Sequence, residues 1–82
     1  MSERKKAHPG YAELLRHWRT AWQMTQVELS RKAGISISTI QKLEMGQRTP
    51  GQLTLLRLGQ VFGPVFIREA LRVTEETLQE DR

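Results

Sequence analysis

Apolar residues recur at helical spacing along most of this chain, and the breaks between them carry residues that end or start helices. Tyr11, Leu14, Leu15, Trp18 and Trp22 form one stripe, which predicts a first helix from Tyr11 to about Gln23. Val27, Leu29, Ala33, Ile35, Ile40 and Leu43 continue the helical period with one interruption at Gly34 and Ser36. Two short helices bent about a tight turn account for that, a second over about 26–33 and a third over about 37–45. Leu53, Leu55, Leu56, Leu58, Val61 and Phe62 predict a fourth helix over 52–62. After Gly63-Pro64, the residues Phe66, Ile67, Ala70, Leu71, Val73, Thr74 and Leu78 predict a fifth over about 64–80. The fold class is all-α, one compact domain of five helices over 11–82.

The breaks have their own chemistry. Thr25 and Glu28 have the spacing of a capping box, in which each side chain satisfies an amide that the helix start leaves free. Gly34 can take the left-handed backbone that ends a helix, and Ser36 can cap the next by accepting from the amide of Ser38 or Thr39. Gly46 is placed to end the third helix in the same way, and Pro64 can open the fifth. At about 100° per residue, Ile40 and Leu43 define the buried side of the third helix. Ser38, Gln41, Lys42 and Met45 then project from the opposite half, with Ile37 at the margin.

Thr25-Gln26, Glu28-Leu29, Ala33-Gly34-Ile35, Ser36, Thr39-Ile40, Leu43-Glu44, Gly46 and Pro50, with the leucine-rich helix after them, resemble the helix-turn-helix of the Xre/Cro and lambda-repressor-like DNA-binding family. The likeness spans most of residues 14–63. It implies a lambda-repressor-like fold whose third helix lies in the DNA major groove. Base contacts then fall to Ile37, Ser38, Gln41 and Lys42, and phosphate contacts to Gln26, Ser36, Gln47 and Arg48. Glutamine suits adenine, lysine suits guanine, and Ile37 can lie against a thymine methyl. A solvated helix face is the plainer account of Gln41 and Lys42.

The family also pairs an arginine of its first helix with the glutamate that closes the third, here Arg19 and Glu44, a structural role. Two departures stand out. Gln23 occupies the position of the usual helix-ending glycine, and Ile37 that of a frequent arginine or glutamine. At Ser30 the family most often has alanine, and a serine hydroxyl there can bond back to a carbonyl one turn earlier.

Charge sharpens the expectation about a partner. The formal net charge is +4, but residues 1–50 hold nine Lys/Arg against four Glu, while residues 51–82 hold four Arg against five acids. The positive half is the half with the two-helix motif, as a polyanion partner requires. Met1 to Gly10 reads as a flexible basic arm, in which Arg4, Lys5 and Lys6 either stay solvated or reach DNA.

No cysteine is present, which removes disulfides, thiolate metal sites and a cysteine nucleophile. No phosphate-cradling loop, HExxH or GxSxG motif occurs, and neither His8 nor His17 has partners for catalysis. The expectation is no enzyme, no cofactor and no metal. With no span-length apolar run and no signal-peptide pattern, a soluble cytoplasmic protein is expected.

These readings converge on a sequence-specific double-stranded-DNA-binding transcriptional regulator. A repressor is the simplest form, since 82 residues leave little room for a separate effector domain. At this size a homodimer is natural, with helix 5 either at the dimer contact or folded back on helix 1. The alternatives are a DNA-binding antitoxin paired with a toxin protein, and an interaction module that keeps the fold without DNA.

Overall fold

The computed structural model describes residues 10–80, with side chains described through residue 76. Five α-helices follow one another: α1 Gly10–Ala21, α2 Gln26–Ala33, α3 Ile37–Glu44, α4 Gln52–Phe62 and α5 Pro64–Glu80. Among the described residues there is no strand. Gly10 already belongs to α1, and the basic segment 1–9 lies outside the described residues.

Each boundary has a visible cause. Thr25 accepts from the Glu28 amide at 3.0 Å while the Glu28 carboxylate accepts from the Thr25 amide at 2.8 Å, closing the capping box. Gly34 ends α2 at φ 70°, and Ser36 opens α3 by accepting from the Thr39 amide at 3.1 Å. Gly46 turns the chain out of α3 at φ 74°, with the Gln47 amide donating to the Lys42 carbonyl. Helix α1 stops at Ala21, two residues short of expectation. Gln23 takes the left-handed backbone at φ 58°, the one non-glycine residue to do so among those described.

One core joins all five helices. Leu15 of α1, Leu29 and Ala33 of α2, Ile40 and Leu43 of α3, Leu58 and Phe62 of α4, and Phe66 and Ala70 of α5 are all buried. Helix α3 packs on α1 and α2, while α4 and α5 pack on each other and close the far side against α2 and α1. Trp18, Phe62 and Phe66 form an aromatic cluster with ring centroids 5.3 to 5.9 Å apart, the tilted and edge-on geometry that rings prefer.

Trp18 is only partly buried. Its indole N–H donates to Glu69 of α5 at 2.8 Å, so the ring lies at the α1–α5 seam where its polar edge has a partner. Tyr11 ties the same seam by a hydrogen bond to Thr74, whose hydroxyl donates to the Ala70 carbonyl. The inner side of α5 therefore completes the monomer core. Val27, counted with the apolar pattern of α2, is 47% exposed because α2 buries only Leu29 and Ala33. Ser30 also differs: its hydroxyl donates forward to the Ile35 carbonyl, across the α2–α3 turn.

Candidate nucleic-acid interface

Helix α3 is an eight-residue element with two opposed sides. Ile40 and Leu43 are fully enclosed, whereas Ile37, Ser38, Gln41, Lys42 and Met45 are exposed. The four expected base-reading residues thus share one open face of a helix gripped from behind by α1 and α2. Gln47 and Arg48 are exposed on the loop that continues from it.

Glu44 is the sole acid between Ile37 and Gly51, and it is turned inward, 5% exposed. Its carboxylate accepts from Arg19 Nε at 2.6 Å and Arg19 Nη2 at 3.0 Å, a bidentate pair across α1 and α3. That pairing removes a negative charge from the open face without leaving it uncompensated in the interior. Arg19 Nη1 donates to the Met24 carbonyl at 2.8 Å, so a single guanidinium also fixes the link into α2. The hydrogen bond with Glu44 and, after it, the Coulomb attraction of that carboxylate raise the Arg19 pKa above its ordinary value, against the opposing effect of burial.

The expected phosphate-contacting residues do not all present free side chains. Gln26 is half-buried and donates one amide N–H to Glu44 Oε1 at 3.1 Å, leaving a second N–H for an outside acceptor. Ser36 donates its only proton to Thr39 Oγ1 at 2.9 Å while capping α3. Its part in anion binding would then pass to the free amides of the first turn of α3. Among the described residues, the Gln47 and Arg48 side chains have no such commitment.

Two further residues belong to the site's scaffold. Arg16 Nη1 donates to the Glu44 carbonyl at 3.1 Å, placing a cation at the C-terminal end of α3, where the helix dipole favours it. Its spacing of three from Arg19 on α1 was a usable signal. Arg57 Nη1 donates to the Gly34 carbonyl at 2.6 Å, bracing the turn between α2 and α3 from α4. No local pattern points to that bond, since the residues are 23 apart.

A capped helix, a glycine turn and a second helix with an open cationic face define a helix-turn-helix domain. The chain belongs to the helix-turn-helix family, Xre and lambda-repressor-like, whose family model matches residues 15–65. It is 49% identical over 39 residues to a protein of Archaeoglobus fulgidus named an uncharacterized HTH-type transcriptional regulator. That stretch is 48% of this chain and 17% of the relative, so the chain spans less than a fifth of that protein's length. No solved structure matches. Among the described residues, no helix is long and apolar enough to cross a membrane, and no three His, Cys, Asp or Glu gather as metal ligands would.

Proposed function

We propose that this protein is a sequence-specific, double-stranded-DNA-binding transcription regulator that acts as a repressor by occupying a promoter. The observation that carries this reading is the open face of α3. It offers an amide, an ammonium and a hydroxyl to the outside, while its one carboxylate is folded inward and neutralised. A helix of this width fits the major groove of B-form DNA, where those groups meet base-edge donors and acceptors. Gln41 and Lys42 read base acceptors, Ser38 contributes a hydroxyl, and Ile37, 38% exposed, lies against a thymine methyl. Gln47, Arg48, the second N–H of Gln26 and the amides that follow Ser36 hold phosphates and set the register.

The regulator acts as a homodimer. Leu53 and Leu56 of α4 and Val65 and Leu71 of α5 are 46 to 62% exposed. Apolar side chains left in water on α4 and α5 are supplied with cover by a second copy. Two copies of α3 would then meet half-sites about one helical turn apart.

The test is selection of binding sites from random duplex DNA, followed by competition between the selected site and random sequence. Gln41→Ala with Lys42→Ala should bring the two affinities together, each lost bidentate contact reducing discrimination by about 1–3 kcal/mol. Undiminished preference in that double variant would remove α3 as the reader.

A further inference from the structure

Away from the open face of α3, the turn between α1 and α2, Lys32 of α2 and the outer side of α4 line an open concavity of about 400 Å³, bounded by Trp22, Met24, Lys32, Gln60 and Val61. Its size lies in the range of small-molecule sites. The composition is selective: three apolar side chains, one amide and one cation, with no acid among them. Trp22 is 49% exposed, yet its ring is held edge-on to Phe62 at 5.7 Å, so a fixed aromatic surface faces the groove. Gln23, between Trp22 and Met24, has the left-handed backbone. The Lys32 side chain has no ion pair or hydrogen bond among the described residues, so its ammonium is available to a visiting anion.

We infer that this groove is a binding site for a small aromatic carboxylate. The ring stacks on Trp22 beside Met24 and Val61, and the carboxylate meets the Lys32 ammonium and the Gln60 amide. Charge complementarity decides the class: an amine of the same shape would bring its cation against Lys32. The site is open on one side, so affinity is modest, with half-saturation on the order of 1 mM for a ligand of about ten heavy atoms.

The test uses the full chain without DNA, so its outcome is independent of the proposal for α3. The indole N–H resonance of Trp22 is followed by NMR during titration with phenylacetate, and in parallel with 2-phenylethylamine and with acetate. The expected result is a saturable shift with phenylacetate, and none of comparable size with the amine or with acetate. Lys32→Met, at an exposed position that leaves the core intact, should raise the half-saturation concentration about threefold. A linear, non-saturating response to phenylacetate, equal binding of the amine, or an unchanged Lys32→Met titration would each overturn the assignment.

Discussion

Arg19 grips Glu44 at two points, Nε to Oε2 at 2.6 Å and Nη2 to Oε1 at 3.0 Å, and the two side chains are only 15% and 4% exposed. This pair connects α1 to the last residue of α3, so α3 is anchored by a charge pair as well as by Ile40 and Leu43. Removing the guanidinium leaves a buried carboxylate with one amide donor, from Gln26. Arg19→Met should therefore cost about 3 kcal/mol in urea unfolding, a large part of the stability of so small a domain.

The pH dependence of that contribution has a definite sign. A basic group whose folded pKa is raised stabilises fully below its unfolded value and loses that effect only as pH rises through the folded one. For Arg19, raised by its hydrogen bond to Glu44, that window lies at the alkaline extreme. The stability difference between the wild type and Arg19→Met should stay constant from neutral pH to about pH 11. Unfolding midpoints measured across that range check it.

Ile67 of α5 packs directly against Gly59 of α4. A Cβ built there would lie 2.2 Å from Ile67 Cδ1 and 2.6 Å from Cγ1. In an unhindered helix, glycine to alanine stabilises by about 1 kcal/mol. Here Gly59→Ala should destabilise instead, by about 1–2 kcal/mol after overpacking is set against helix propensity. Adding Ile67→Ala should make the double variant less damaged than the sum of the two single ones, as thermal melts would read.

Much of this architecture was legible in the sequence because its punctuation is local. Thr25 with Glu28, Gly34, Ser36, Gly46 and Gly63-Pro64 act within a few residues, and each bounds a helix where its chemistry requires. The residues of α3 were separable into two sides because Ile40 and Leu43 leave only one way to bury an eight-residue helix. What stayed hidden depends on partners distant in sequence. Six apolar residues of α4 look alike in the pattern, yet only Leu58 and Phe62 are buried, a choice set by where α5 packs. Trp18 is drawn to the seam by Glu69, 51 residues away, and Gln26 is turned inward by Glu44, 18 away.

Gln23 stands where the resembled family has a helix-ending glycine, and it takes that glycine's backbone. Its left-handed φ of 58° closes α1, with the Met24 amide donating to the Arg19 carbonyl at 3.0 Å. A side chain in that conformation costs on the order of 1 kcal/mol relative to glycine. Gln23→Gly should raise the melting temperature by about 4–8 °C for a domain of this length. An unchanged or lower melting temperature would mean that the glutamine side chain contributes more than its backbone strain costs.

Arg48 separates the two kinds of contact proposed for DNA. It stands on the loop after α3, exposed and without a carboxylate beside it in sequence, since Gly46 to Leu53 contains no acid. A guanidinium so placed neutralises a phosphate without reading a base, and each such contact releases a condensed counterion. Arg48→Ala should therefore weaken binding to selected and random duplexes by similar factors. It should also flatten the plot of log affinity against log salt by about one per protomer. The preference between sites should survive, in contrast to the Gln41 and Lys42 double variant. Affinities measured at several salt concentrations decide it: an unaltered slope would exclude Arg48 from the phosphate contacts, and a collapse of preference would make it a reader.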